Sequence, residues 1–338
     1  MADSSPTDLK QPVAPSEIGR LHQLMDLGVP RWTQIIAEFG ISDALGETPE
    51  SAAALAGKTG VNADALHRVM FLLSAHGIFK YAGGRFAHSP LSLLLRSDHP
   101  QSQLGMARLS GMMQPQGVLT MGDVLRTGRP FTESLGGTFA VLANDAAAAK
   151  IFDEAMTSKA NADIKAILEA YDFRDFASIA DIGGGRGHLI RAVLQATPRA
   201  QGALFDLPHT IEPQKALATA RLRFEAGDFF KDKLPECDAY LLMNVIHDWE
   251  DEKAIAILKN LRKAALPHAR LLLLETLMPE QPIQSHIVSL DLVMLATTGG
   301  RERTEAEYRA LFAASGFKLD RTITAASGMS ILEATPAR

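Results

Sequence analysis

From about Phe176 onward, short apolar runs alternate with amphipathic helical patterns, and this alternation constrains the fold more than any other feature. The predicted strands are residues 178–181, 203–206, 221–225, 239–245 and 271–275, with a final pair at 317–323 and 330–333. Between them, apolar residues recur at helical spacing. The alternation predicts βαβ units and therefore an α/β class with a mostly parallel sheet, to which the final pair adds an antiparallel C-terminal strand.

The N-terminal part of the chain has a different pattern, mostly helical and ending in a hairpin. Thr48-Pro49-Glu50 predicts a helix start with a cap, a first-turn proline and an acid. Asn62 predicts the cap of a second helix, which Gly77 ends. Gly83-Gly84, between two short β-type runs, predicts a tight hairpin. Two helices followed by a hairpin indicate a winged helix.

The 338 residues suggest two domains or one with an appendage. We divide the chain into a disordered lead (1–16), a winged-helix domain (17–100), a helical region (101–170) and an α/β domain (171–338). The lead lacks the basic start and apolar stretch of a secretory signal.

The composition is that of an ordinary globular protein without a polyanion or membrane partner. The formal net charge is −5, and no run of 18 uncharged apolar residues occurs. The single cysteine, Cys237, excludes an intramolecular disulfide and fits a reducing compartment. We therefore expect a cytoplasmic location.

A glycine-rich turn, Asp181-Ile182-Gly183-Gly184-Gly185-Arg186-Gly187, follows the first strand of the sheet and opens a helix. The dinucleotide pattern has glycines at its first, third and sixth places, but the sixth place counted from Gly183 is His188. This register favours a ligand without a pyrophosphate. Because glycines allow close approach of the backbone, Gly183 and Gly185 are predicted to line the site.

Acids follow three successive strands, and parallel strands end at the same edge of a sheet. Asp181 suits a cationic amino-acid group, and Asp206 suits two ribose hydroxyls. After the third strand, Asp228 suits an adenine amino group and Phe229 suits the face of its ring. These groups predict a site for S-adenosylmethionine. Two further neighbours at this edge are expected to contact it: Leu207 and Asn244.

His247 follows the fourth strand in Asn244-Val245-Ile246-His247-Asp248-Trp249, at the same edge as the acids. A phenol has a pKa near ~10, so it is mostly protonated and weakly nucleophilic at neutral pH. A base that takes the proton as the C–O bond forms contributes typically ~10²–10⁴-fold, and neutral histidine suits this task. His247 is therefore the predicted base, and Asp248 is a local hydrogen-bonding group. Trp249 is predicted as a pocket wall, with a plain core residue as the alternative.

Two glutamates are candidates for orienting this histidine. Glu275 ends the fifth strand, and its carboxylate is expected to hold the other ring nitrogen of His247. Glu302, in Gly299-Gly300-Arg301-Glu302-Arg303-Thr304, is expected to flank His247 from the other side. The alternative for Glu302 is a purely structural acid at the start of a helix.

These motifs resemble those of the O-methyltransferase family that includes plant caffeic acid, hydroxyindole and bacterial polyketide-tailoring enzymes. The resemblance covers nearly the whole chain. It implies a class I methyltransferase fold with a Rossmann-like sheet, in-line methyl transfer to a small aromatic substrate in secondary metabolism, and a homodimer built by the N-terminal domain. It also implies that His247 is the base, bracketed by Glu275 and Glu302. Three apolar residues are implied to line the substrate pocket, with simple helix packing as the alternative: Phe152, Met156 and Met294.

The sequence departs from the plant pattern at three places. Lys159 stands where the plant enzymes have a histidine near the substrate, Met243 stands where lysine or serine is common, and the segment from Met294 to Gly299 is one residue shorter. Some relatives use the cofactor for decarboxylation or hydroxylation instead of methyl transfer. The retained histidine and glutamates favour methyl transfer here.

The sequence argues against three other functions. Residues 1–100 carry ten acidic and eight basic side chains, which argues against a DNA-binding regulator. The glycine register argues against a nicotinamide oxidoreductase. The ten histidines show no H-x-x-x-H spacing, so catalysis is expected to need no metal.

Overall fold

The computed structural model describes residues 14–337, without the side chains of residues 114–116, 118, 161 and 162. Of the predicted lead at 1–16, only the last three residues lie within this range, and Pro15 already begins a helix. The chain forms two compact units that divide between Gly111 and Met112.

The first unit is helical with one two-stranded sheet. Its elements are α1 (Pro15–Met25), α2 (Gly28–Glu38), α3 (Ile41–Ala44), α4 (Ala52–Thr59), α5 (Ala63–Ala75), β1 (Phe79–Ala82), β2 (Arg85–His88), α6 (Pro90–Leu93) and the start of α7 (Leu104–Thr127), which continues past the division. The predicted pair of helices and the antiparallel hairpin are therefore present. Their apolar side chains, such as Leu55, Met70 and Phe86, form one buried core.

The cap of α4 differs from the prediction. Ser51 caps this helix, and its hydroxyl accepts from the backbone N–H of Ala54 at 3.3 Å. Thr48 is not the cap, because Glu50 exchanges backbone hydrogen bonds with Phe86 and keeps the preceding chain extended. The second helix begins as predicted, with Asn62 accepting from Ala65 N–H.

The second unit contains a seven-stranded sheet flanked by helices. Its elements after α7 are α8 (Thr138–Asn144), α9 (Ala146–Ala170), β3 (Ser178–Ile182), α10 (His188–Ala196), β4 (Gln201–Asp206), α11 (Pro208–Ile211), β5 (Leu222–Ala226), β6 (Ala239–Met243), α12 (Asp251–Ala264), β7 (Arg270–Glu275), α13 (His286–Thr297), α14 (Glu305–Ser315), β8 (Phe317–Thr324) and β9 (Ser330–Pro336). The strand order is β5-β4-β3-β6-β7-β9-β8.

The sheet is mostly parallel, as predicted. Strands β3 to β7 pair in parallel, whereas β9 is antiparallel to both β7 and β8. Apolar side chains cover both faces, with α12 and α14 packed on one and α9 and α10 on the other. Burial on both faces explains why the strands read as continuous apolar runs in the sequence.

The strand that precedes His247 is shorter than predicted. It ends at Met243, not at residue 245, because Asn244 has a φ of +52° and breaks the extended backbone. Asn244 is the sole non-glycine residue with positive φ between residues 14 and 337. The sheet order still brings the carboxyl ends of β3, β4, β6 and β7 to one edge, where the candidate site lies.

Candidate active site

The glycine turn after β3 depends on backbone conformations and spaces that favour glycine. Gly183, Gly185 and Gly187 have φ values of +68°, +56° and +71°, which disfavour other residues. At Gly184 a side chain would lie 2.4 Å from the Asp181 carboxyl carbon. The turn is therefore a close cradle around Asp181.

Asp181 is 1% exposed, and neither of its carboxylate oxygens has a hydrogen-bond partner between residues 14 and 337. Burial raises its pKa to about 7, the nearby Ile190 amide opposes this rise, and the charge of Asp206 adds to it. An isolated buried carboxylate is costly unless a cation or a proton neutralises it. The geometry therefore fits a cationic ligand group at the end of β3.

Asp206 links the second strand to the glycine turn. One carboxylate oxygen accepts from the Gly185 N–H at 2.8 Å, and the other accepts from the Leu207 N–H at 2.6 Å. Burial raises its pKa, and these two backbone donors oppose the rise. Each carboxylate oxygen has a second lone pair, so the side chain can still accept from the hydroxyls of a ribose.

Asp228 and Phe229 follow β5, as the sequence predicts. Asp228 accepts from the Phe230 N–H at 2.9 Å and pairs with Lys231 at 2.8 Å. Burial opposes the shift, but Lys231 and this amide lower the pKa of Asp228, which keeps it ionised. The half-buried ring of Phe229 packs edge-on against Trp249, with 6.0 Å between centroids.

His247 is 8% exposed, and Glu302 holds its ring. Nδ1 of His247 lies 2.8 Å from Oε1 of Glu302, which is 2% exposed. Because a carboxylate only accepts, Nδ1 is the donor in this contact. On the other side of the ring, Nε2 is 3.8 Å from Asp248 Oδ1, too far for a hydrogen bond. Nε2 is therefore available to a substrate.

Glu275 has a different contact from the one predicted. It does not hold the second ring nitrogen of His247; its Oε1 accepts from the backbone N–H groups of Val245 and Ile246 at 3.2 and 2.9 Å. The displaced strand end causes this difference, because it turns the backbone of residues 245 and 246 toward the end of β7. Glu302, one of the two predicted flanking acids, is the direct partner of His247.

The pKa values of His247, Asp248 and Glu275 depend on one another's charges. Burial lowers the pKa of His247, but the charges of Glu275 and Asp248 and the hydrogen bond to Glu302 raise it to about 9. Burial raises the pKa of Asp248 to about 6 and that of Glu275 to about 7, while His247 lowers both. The site therefore stabilises a positively charged imidazole, the form that exists after proton transfer.

The backbone around His247 is clamped by residues that the sequence analysis did not assign. Arg303, with a fully buried side chain, donates to the carbonyls of Ile246 and Trp249 at 3.1 and 2.7 Å and pairs with Asp251. The His247 carbonyl accepts from Arg301 N–H at 2.9 Å. The available sequence signal was the position of Arg303 directly after Glu302 in the same motif.

The predicted substrate residues lie on three elements. The Trp249 ring packs against Phe230 and Phe139, with centroids 4.9 and 6.0 Å apart. Phe152 and Met156 lie half-buried on α9 at helical spacing, and Met294 lies half-buried on α13.

Lys159, one further turn along α9 from Met156, reaches the edge of the sheet. Its Nζ donates to Asn244 Oδ1 at 2.6 Å, and it lies 3.9 Å from Asp163. Residues 152, 156 and 159 follow i, i+4, i+7 spacing, so this contact turns their shared helix face toward the end of β6.

The described residues contain neither a metal-binding cluster nor a membrane-spanning helix. From residue 14 to residue 337, no group of three or more His, Cys, Asp or Glu side chains is arranged to bind a metal ion. Over the same range, the helices are all too short or too polar to span a bilayer.

The seven-stranded sheet, parallel except for its C-terminal strand, has the topology of a class I methyltransferase. An O-methyltransferase family profile matches residues 119–318. The phenazine O-methyltransferase PhzM of Lysobacter antibioticus is 38% identical over 310 residues, covering 89% of this chain and 91% of that protein. The mitomycin biosynthesis 6-O-methyltransferase of Streptomyces lavendulae is 33% identical and covers 88% of each chain.

A solved structure supports the same assignment. NcsB1, an O-methyltransferase from neocarzinostatin biosynthesis in complex with S-adenosylmethionine and 2-hydroxy-5-methyl naphthoic acid, superimposes with a TM-score of 0.82. It is 28% identical, and the match covers 94% of this chain and 98% of that one. The chain belongs to this O-methyltransferase family and is an S-adenosylmethionine-dependent O-methyltransferase.

Proposed function

We propose that this enzyme methylates a phenolic hydroxyl of an aromatic natural product and that His247 is the general base. The single observation that carries this proposal is the His247–Glu302 pair, in which the contact at Nδ1 leaves Nε2 available. The relatives include a phenazine O-methyltransferase and a 6-O-methyltransferase of mitomycin biosynthesis, which supports an aromatic acceptor.

The catalytic step assigned to the chain is proton removal. With Nδ1–H donated to Glu302, the lone pair of Nε2 accepts the hydroxyl proton, and the acids around the ring stabilise the imidazolium that forms. Glu275 acts on the backbone that carries His247 and through its charge. When bound, S-adenosylmethionine supplies an electrophilic methyl group and a positive sulfonium, which favours the neutral form of His247.

The cofactor-binding roles belong to this proposal as well. Asp181 holds the cationic amino-acid end against the turn of Gly183 and Gly185, and Asp206 with Leu207 holds the ribose. Asp228 and Phe229 bind the adenine. The unpartnered carboxylate of Asp181 supports the first of these roles.

A substrate screen tests the proposed function. Phenols, naphthols and polyketide aromatics are incubated with the enzyme and a methyl-labelled donor, and labelled ethers are identified by mass spectrometry. We expect label on a ring hydroxyl. Consumption of the donor without any methylated product would contradict the proposal.

Asp181→Asn is expected to weaken S-adenosylmethionine binding by roughly 10–100-fold, because a hydrogen bond to a charged group contributes about 1.5–3 kcal/mol. The wild-type affinity should also rise between pH 6 and 7.5, since the carboxylate has a pKa of about 7 and pairs with the ligand only when deprotonated. In the variant this pH dependence should be absent.

Isothermal titration calorimetry at both pH values measures this effect. Asp123→Asn is the matched control, because Asp123 makes only a surface pair with Arg126 and is 72% exposed. A variant with wild-type affinity at pH 7.5 would remove Asp181 from cofactor binding.

We also propose a homodimer formed through the first unit. Helix α1 buries no residue in the isolated chain, and four of its apolar side chains are 46–70% exposed: Ile18, Leu21, Leu24 and Met25. Such a face normally requires a partner.

Light scattering is expected to give a dimer for the wild type and a monomer for Leu21→Glu/Leu24→Glu. Leu217→Glu, at an exposed leucine of the second unit, is the control; a monomeric wild type would refute the proposal.

A further inference from the structure

Lys159 and Asn244 together present hydrogen-bond donors at the edge of the sheet beside His247. We propose that these two residues form a carboxylate-binding corner, which selects aromatic acceptors that carry a carboxylate next to the hydroxyl to be methylated. This assigns the Asn244 side chain to the acceptor and not, as the sequence predicts, to the cofactor. This inference rests on the proposed function and adds a substrate class to it.

The contact between the two side chains fixes their polarity. An ammonium group only donates, so the amide oxygen of Asn244 must face Lys159, as the 2.6 Å distance shows. The amide NH₂ group of Asn244 then points away from the lysine, and it has no hydrogen-bond partner elsewhere in residues 14–337. Lys159 keeps two further N–H donors, since Asp163 is 3.9 Å away and beyond hydrogen-bond reach. The corner therefore offers several donors to one acceptor group.

The backbone holds this corner in place. Asn244 has a φ of +52°, and its N–H donates to the Leu274 carbonyl at 3.0 Å. A non-glycine residue in this conformation costs energy, and such strain concentrates at functional sites. Because asparagine tolerates it better than most residues, the sharp turn places the amide at the end of β6.

The surrounding charges place the corner at the acceptor end of the site. The positive charge of Lys159 lowers the pKa of Asp248 and Glu275, which both lie beside His247. Asp181 is where the cationic end of the cofactor is proposed to bind. Its pKa is set instead by burial, by the Ile190 amide and by the charge of Asp206. Three acids face Lys159: Asp163, Asp248 and Glu275. Burial raises the pKa of Asp248 to about 6 and that of Glu275 to about 7, so they compensate the lysine only in part at neutral pH.

A carboxylate is the group that best matches these donors. Its two oxygens can accept from the ammonium and from the amide at once, and charge-assisted hydrogen bonds are about twice as strong as neutral ones. The Lys159 side chain is 29% exposed, so it is partly desolvated and available to a ligand. A neutral phenol gains no comparable interaction.

The test compares binding of 1-hydroxy-2-naphthoate and 1-naphthol by calorimetry in the presence of S-adenosylhomocysteine. The wild type is expected to bind the acid about 10-fold more tightly or better, in the range of a hydrogen bond to a charged group. Lys159→Met should bind both compounds alike, and Lys159→Arg should keep part of the preference. Lys165→Met is the matched control, because Lys165 lies on the same helix with an 81% exposed side chain.

Several outcomes would overturn the assignment. These are equal affinities in the wild type, no binding of either compound at millimolar concentration, and an unchanged preference in Lys159→Met. If Lys159→Met instead weakens S-adenosylhomocysteine binding, the corner holds the carboxylate of the cofactor and the substrate assignment is wrong. Methylation of hydroxyarenes without regard to a carboxylate would leave the proposed function standing and remove only this inference.

Discussion

His247→Ala is expected to lower turnover by ~10²-fold or more, the range that general-base catalysis contributes, while S-adenosylmethionine binds almost as before. The proton of the acceptor hydroxyl would then have no acceptor at the position of Nε2. Cofactor affinity should persist, because the acids proposed to bind the cofactor do not hydrogen-bond to His247: the Asp181 carboxylate has no partner in residues 14–337, and Asp206 and Asp228 accept from Gly185 and Phe230. Single-turnover kinetics with saturating donor measures the chemical step directly.

The pH dependence gives a second measure of the same role. Only neutral histidine accepts a proton, and the pKa of His247 is raised to about 9 in the free enzyme. We therefore expect kcat/KM to increase with pH from 6.5 toward 9. Glu302→Gln removes the negative partner of Nδ1, so it should move this rise to lower pH while also reducing the maximal rate.

The control for this experiment is His268→Ala, since His268 is a surface residue beside Asp238 with a 68% exposed side chain. It should retain normal turnover and an unchanged pH profile. If His247→Ala had the same turnover as this control, the general base would have to be sought elsewhere.

Gly300→Ala is expected to have the second-largest effect, through the backbone that carries His247. A Cβ at position 300 would lie 2.1 Å from the His247 carbonyl oxygen and 2.5 Å from the Asp248 carbonyl carbon. These are main-chain atoms and cannot rotate away. The Arg301 N–H holds the His247 carbonyl, and Arg303 holds the carbonyls of Ile246 and Trp249 on either side of these atoms. We expect a loss of stability of about 1–3 kcal/mol, typical of overpacking, together with a large loss of turnover.

Thermal denaturation and turnover of Gly300→Ala are compared with those of Gly122→Ala. Gly122 lies within α7, and its nearest neighbour for an added Cβ is Arg126 at 3.9 Å. Alanine there should leave the free energy of unfolding unchanged or raise it by up to about 1 kcal/mol, as expected for a helix interior. Equal stability and turnover of both variants would show that the backbone of His247 is not held as tightly as the distances indicate.

Much of the sheet could be predicted because periodicity and turn chemistry are local properties. The alternation of apolar runs with helices located all seven strands, and acids at strand ends predicted Asp181, Asp206 and Asp228 at one edge. The exact end of β6 was missed, because the single asparagine in the apolar run, a residue type that tolerates positive φ, is too weak a signal to fix where a strand ends. The wrong partner for Glu275 follows from that error. With the strand ending two residues earlier, the amides of Val245 and Ile246, and not the ring of His247, lie against its carboxylate.

Contacts between distant segments were also beyond the reach of sequence patterns. Lys159 is 85 residues from Asn244, and Arg303 is 57 residues from the Ile246 carbonyl that it binds. Neither pairing leaves a periodic signal. The homodimer and the cytoplasmic location stay predictions, because partners and compartments are not properties of a single folded chain. The winged-helix assignment and the four-segment division stay predictions as well.

The turn that carries His247 is fastened almost entirely through peptide groups. Glu275 binds the amides of residues 245 and 246, Arg303 binds the carbonyls of 246 and 249, and the Arg301 amide binds the carbonyl of 247. Such anchors do not depend on which side chains positions 245, 246 and 249 bear. Trp249 could therefore be exchanged for a side chain of another shape without loss of these anchors, whereas Val245 and Ile246 are constrained by the buried core in which they pack.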